Sequence, residues 1–238
     1  MPYRATLSRD FPGAVTYERY LARVTRAVTP LGFDREHSFA AVSVCRDELA
    51  QPLLQDITRR WDQPFNLGGL GAIPSLGRTG WRAALSHVPD DTRGHLIVFG
   101  LPHIGIDPEG HIGESLRRHQ HRVTPTCGAM VALLDSLGRP AEPLPPGLED
   151  HEAERLRTVI AEHADRQPED LLELTLLAAA AVGTNCVAER AGSDAFRSTV
   201  QPSARTVSQN ALVLTRSAAQ FSRGECQGDR RSIAQRSP

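Results

Sequence analysis

The chain has 238 residues, 40% of them apolar and 23% charged, with a formal net charge of −1. That length builds one large domain with a substantial core, and the near-neutral balance gives no global attraction to nucleic acid or to an anionic membrane. No run of about 18 apolar residues occurs, so no membrane span is expected, and every basic residue is Arg, which removes a catalytic lysine from consideration.

Residues 1–13 lack an apolar core of signal-peptide type. A cytoplasmic protein is therefore expected, whose four cysteines stay reduced and act as ligands, nucleophiles or plain core residues. Over 14–29, Val15, Tyr20, Leu21, Val24 and Val28 fall near helical spacing, and Pro30 and Gly32 end that helix. Residues 39–44 read as a strand with Cys45 at its carboxyl end, and a helix follows with Leu53, Leu54, Ile57 and Trp61 on one face. Residues 64–80 are glycine-rich without a period; no Gly-Lys-Ser/Thr follows, so tight packing is expected there and not a phosphate loop.

Leu96–Phe99 is short, apolar and β-branched, a buried strand, and Gly100, Pro102 and Gly105 place His103 on the loop beyond its carboxyl end. In open α/β sheets that edge is where ligands bind. Asp107-Pro108-Glu109-Gly110 is a turn, with 104–106 and 111–113 able to pair across it. The run containing His111, His119 and His121 reads as solvated surface. Cys127 stands before a helix starting near Ala129, where the helix dipole favours thiolate. A proline-rich connector (139–147) leads to two helices, over 148–164 and 168–182. From Thr184 the text turns rich in Ser, Arg and Gln, with only Ala211–Leu214 apolar enough to bury. The expected organisation is a domain of 1–183 and a divergent, poorly ordered tail of 184–238.

Cys45, His103 and Cys127 thus recur at strand ends or a helix start. A Cys2His set with an open fourth position is a catalytic zinc arrangement, and donors this far apart in sequence exclude a zinc finger. Spacing alone leaves buried structural cysteines and a satisfied histidine as the competing account.

Four segments carry a resemblance: VCRDE (44–48), GLGAIPSLGRTGWRAALSHVP (69–89), PHIGI (102–106) and TCGAM (126–130), in that order. Over roughly 14–182 the chain resembles the limiting-CO2-inducible protein B/C family, whose members are similar to β-class carbonic anhydrases. The resemblance implies an α/β fold, a mostly parallel β-sheet flanked by helices, with Zn2+ held by Cys45, His103 and Cys127. It implies reversible hydration of CO2 to bicarbonate by zinc-bound hydroxide, in a homodimer, while the charge balance leads us to expect neither nucleic acid nor membrane as a partner. The alternative is a catalytically silent homologue that binds CO2, bicarbonate or another protein.

Asp47 extends the resemblance, since β-class carbonic anhydrases carry Cys-x-Asp-x-Arg and their Asp either blocks the zinc or pairs with that Arg. Here Leu49 stands where the Arg belongs, so Asp47 needs a guanidinium from Arg46, Arg59, Arg60 or Arg78. Arg46 and Asp47 are thus candidate catalytic residues. His87, in SHVP, is a third, either shuttling protons near the site or packing a turn. Glu48 reads as a first-turn carboxylate.

Overall fold

The computed structural model describes residues 2–90, 94–117, 120–137, 139, 145, 147, 149–188, 196–199 and 211–216, the last two stretches and 183–188 as backbone. The elements run α1 (Pro2–Asp10), α2 (Tyr17–Val28), β1 (Ser38–Val44), α3 (Gln51–Trp61), β2 (Phe65–Asn66), α4 (Gly77–Ser86), β3 (His95–Leu101), β4 (Glu114–Leu116), β5 (Val123–Pro125), α5 (Gly128–Ser136), α6 (His151–His163), α7 (Leu171–Ala188), β6 (Phe196–Thr199) and β7 (Ala211–Arg216). The main sheet has the order β2-β1-β3-β7-β6. β1 is parallel to both β2 and β3, whereas β7 and β6 close the other side in antiparallel register.

Strand periodicity sorts the core into two faces. Ala40, Val42 and Val44 of β1, with Ile97, Phe99 and Leu101 of β3, pack against Leu21, Val24 and Val28 of α2 and Leu53, Ile57 and Trp61 of α3. The alternate residues Ala41, Leu96 and Val98 face Met130 of α5, Ile160 of α6 and Leu174 of α7. Helices on both faces are what parallel strands require, because neither surface of such strands meets water. Cys45 belongs with the second set, on the face that α5 covers.

The glycine-rich stretch packs as its composition suggests. A Cβ on Gly68 would lie 2.2 Å from the Val44 carbonyl oxygen, so only glycine lets this segment lie against the end of β1. One on Gly71 would lie 2.8 Å from Met130 Sδ. Ser43, on the same face, donates its hydroxyl to the Ala72 carbonyl at 2.7 Å and pins the stretch there. Replacing Gly68 by Ala is expected to cost about 1–3 kcal/mol, the usual penalty of overpacking, read as a lower midpoint in urea unfolding. The strain falls on the residue preceding Cys45.

The structure differs from the sequence expectations in three places. α1 was not anticipated; it is tied down through Thr6, whose hydroxyl donates to the Gly110 carbonyl at 2.9 Å. The 104–113 hairpin reduces to one bridge, Ile106 to Ile112, and regular pairing begins only at β4 with β5. Within the stretch expected to be poorly ordered, α7 continues to Ala188, and β6 and β7 join the sheet through β3. β7 contains the Ala211–Leu214 run noted above. The remaining residues of 184–238 lie outside the described residues. Among the described residues, no helix is long and apolar enough to cross a membrane.

Candidate metal centre

Because β1 and β3 are parallel neighbours, their carboxyl ends open on one edge of the sheet, and Cys45 and His103 leave from those two ends. Cys127 reaches the same place from the N-cap of α5. Backbone clamps join the two loops. Gly105 N–H donates to Thr126 O at 3.0 Å and Thr126 N–H to Gly113 O at 2.8 Å. A Cβ on Gly105 would lie 2.5 Å from the Glu114 carbonyl oxygen, so this approach too requires glycine.

The result is a Cys-His-Cys cluster whose donor atoms all lie within 4.8 Å of one another. Cys45 and Cys127 are 5% and 2% exposed, with Sγ atoms 3.4 Å apart. His103 Nε2 is buried with no hydrogen-bond partner, an arrangement that costs desolvation energy unless something else fills the role. Two sulfurs and an unpartnered imidazole nitrogen are a donor set suited to zinc, and three protein ligands leave one position open.

Charge in the pair is unequal. The Cys45 thiol is depressed to about 4, first by the hydrogen bond from Cys127, with His103 and the Asp47 N–H adding to it. Cys127 is pushed up, first by donating its S–H hydrogen bond to Cys45 and then by burial. Two sulfurs this close cannot both ionise without a cation between them. The Ala129 and Met130 N–H groups at the helix start favour a thiolate on Cys127, as the helix-start argument expects, while His103 and the Asp47 N–H favour one on Cys45.

Asp47 caps the 3₁₀ turn Glu48–Ala50, its Oδ1 accepting from Leu49 N at 3.0 Å. Its Oδ2 accepts from Arg117 Nη2 at 2.8 Å. Burial works against the carboxylate, but the Leu49 N–H, then His103 and Arg117, outweigh it and hold its pKa below the ordinary value. Arg117, on the residue after β4, also donates from Nε to Glu48 Oε1 at 2.7 Å and from Nη1 to Thr124 Oγ1. Glu48 is therefore more than a first-turn carboxylate.

Arg117 corrects the sequence reading, which drew Asp47's partner from four other arginines. Arg46 is exposed and forms a two-pronged pair with Glu152 of α6. Arg59 pairs with Asp56, and Arg60 donates to Thr25 Oγ1 at 3.0 Å. The chain missed by the sequence reading carried one usable signal: Glu114-Ser115-Leu116 and Val123-Thr124-Pro125 flank a polar turn, as hairpin strands do.

His87 does not join the cluster. It is exposed at the end of α4, stacked on Phe39 at 5.3 Å between ring centroids and tilted against Phe65 at 5.5 Å. Phe39 lies near the start of β1, six residues before Cys45, a strand length of roughly 20 Å. The packing account of His87 is the one the structure supports.

Asp107, His111 and Glu114 form a second group of donors within 4.8 Å. Asp107 is consumed by its turn: Oδ1 accepts from the His111 N–H and Oδ2 bonds the His111 ring, both at 2.8 Å. An open cavity of about 880 Å³, lined by Leu70, Ser75 and residues 149–152, lies beside the Arg46–Glu152 pair, and none of the three cluster donors lines it.

Residues 14–195 match the family described as limiting CO2-inducible proteins B/C beta carbonic anhydrases. The match runs past the expected boundary at 183. PtLCIB4, a homologue of the limiting CO2-inducible protein LCIB, has a similar structure, with a TM-score of 0.67, 24% identity, and coverage of 79% of this chain and 78% of that chain. LCIB itself gives a TM-score of 0.60 and 26% identity over 79% of this chain and 80% of that chain. No curated protein matches the chain. With the family match spanning most of the sequence and the sheet, helices and Cys-His-Cys cluster in place, the chain belongs to the limiting CO2-inducible protein B/C family of β-carbonic-anhydrase-like proteins.

Proposed function

We propose that this protein is a zinc-dependent carbonic anhydrase that hydrates CO2 reversibly to bicarbonate. The observation that carries the reading is the convergence of Cys45, His103 and Cys127, with His103 Nε2 buried and otherwise unpartnered. Zinc, when bound, lowers the pKa of a coordinated water from about 15.7 to about 7 and so supplies a nucleophile at neutral pH.

The chain's own residues do the rest. Both sulfurs and His103 would hold the ion at the sheet edge, on elements fixed by the β1–β3 register and the Thr126 clamps. Leu67, Ile73 and Met130 belong to the same apolar cluster as Cys45 and Cys127, surroundings that suit a small apolar substrate. Asp47, held by the Leu49 N–H and Arg117 two residues from Cys45, would serve as a hydrogen-bond acceptor for the attacking water. Arg46 and His87 have no catalytic part in this reading. A homodimer fits the pairing of Leu116 with Val123, apolar side chains exposed on the small β4–β5 ribbon beside Arg117; a two-stranded ribbon alone is marginal in water.

Stopped-flow CO2 hydration with a pH indicator tests the activity, and ultracentrifugation of the same sample gives its oligomeric state. Zinc-loaded protein is expected to accelerate hydration and chelator-stripped protein is not. Full zinc occupancy without acceleration would make the chain a catalytically silent homologue.

A further inference from the structure

Among the described residues, Cys45 and Cys127 are free cysteines, and their 3.4 Å separation lies between two bonded states. Two thiolates on one tetrahedral zinc, each about 2.3 Å from it, stand roughly 3.8 Å apart. A disulfide brings sulfurs to about 2.05 Å. Opening by a few tenths of an ångström would embrace the ion, and closing by roughly 1.4 Å would form the bond, a displacement within reach of side-chain rotation. The pairing is also specific to the folded chain. The two residues are 82 apart in sequence; one ends a central strand and the other opens α5 from a clamped loop.

We propose that Cys45 and Cys127 form a redox switch, in which oxidation of the metal-free chain joins them in a disulfide and so abolishes the metal centre. The inference rests on the metal reading above. The oxidant is a peroxide, small and polar enough to enter where CO2 and water must. One sulfur attacks a peroxide oxygen, the O–O bond breaks, and the products are a sulfenic acid and one water. The second sulfur then displaces the sulfenic oxygen as another water. The two thiol hydrogens end in those waters, and two electrons pass from sulfur to peroxide. Of the three donors only His103 survives, too few for a zinc site. Bound zinc, held by both sulfurs, blocks the same step. A dithiol reductant reverses the bond by exchange.

The experiment uses the full chain carrying Cys186→Ser and Cys226→Ser, with peptide mapping of the four-cysteine protein as a second route should that variant fold poorly. Metal-free and zinc-loaded samples are exposed to hydrogen peroxide, and free thiols, intact mass and subsequent zinc uptake are measured. The metal-free chain is expected to lose both thiols with a mass change of about two hydrogens, to yield a Cys45–Cys127 cross-linked peptide, and to take up zinc only after reduction. The zinc-loaded chain is expected to lose thiols at least about tenfold more slowly, because metal-held sulfur is withdrawn from attack. Accumulation of sulfinic or sulfonic acid in place of the cross-link would overturn the switch. So would undiminished zinc uptake by the oxidised chain. If the reduced chain takes up no zinc at all, the metal reading fails, and the mass and peptide data still decide whether the disulfide forms.

Discussion

Replacing Cys45 by Ser, His103 by Ala or Cys127 by Ser is expected to lower zinc affinity by more than about 100-fold in each case. Loss of an outer-shell partner alone costs a metal site 10–100-fold, and each of these changes removes a donor outright. The three donors come from three separate elements, the end of β1, the loop after β3 and the start of α5, so each substitution removes one element's contribution to the cluster. Metal analysis after dialysis against a weak chelator reads the loss, and CO2 hydration should fall with it. His87→Ala is the control, expected to keep both zinc and turnover, since its ring stacks on Phe39 toward the far end of β1. Full zinc retention in all three donor variants would show that the cluster is not the metal site. Loss of zinc and turnover in His87→Ala would instead show that the assignment of this histidine to packing is mistaken.

The two central strands and the cluster were legible in the sequence for one physical reason: each strand is short and carries a nearly unbroken apolar run. Phe39–Val44 and Leu96–Phe99 announce themselves, and a parallel pair must open both carboxyl ends on one edge, which brings Cys45 and His103 together before any coordinate is known. Cys127 followed from helix-start chemistry in the same way. What periodicity does not encode is long-range ion pairing. Arg117 sits 70 residues from Asp47, in a run of arginines and histidines whose composition reads as solvated surface, and nothing local distinguishes it from its neighbours. Arg46, adjacent to both Cys45 and Asp47, had the stronger claim by sequence. Its side chain is instead engaged by Glu152 of α6. The edge of the sheet was illegible for a related reason. β7 is an antiparallel addition whose partner, β3, precedes it by more than a hundred residues, and β6 pairs with β7 in turn; only Ala211–Leu214 carried a trace of them.

Replacing Arg117 by Ala is expected to slow CO2 hydration by more than about tenfold while zinc is retained more tightly than in the wild type. The Asp47 carboxylate is only 9% exposed, and its two oxygens are divided between the Leu49 N–H and Arg117. A carboxylate so poorly hydrated does not stay without a counter-charge when its guanidinium is removed. Its nearest remedy is a cation in the Cys45–His103–Cys127 cluster, two residues away in sequence from Cys45. Asp47 would then occupy the position otherwise left open, adding a donor and excluding substrate together. Slower turnover with slower release of zinc to a competing chelator is a signature that mere loosening of the fold does not produce, because a loosened site releases metal faster. Adding Asp47→Asn to Arg117→Ala removes the intruding charge, so chelator release should return toward the wild-type rate while hydration stays low. Arg117→Lys should fall between, keeping one charge but losing the fork that spans Asp47, Glu48 and Thr124. An Arg117→Ala protein with wild-type turnover and wild-type zinc release would remove this arginine from any control of the site.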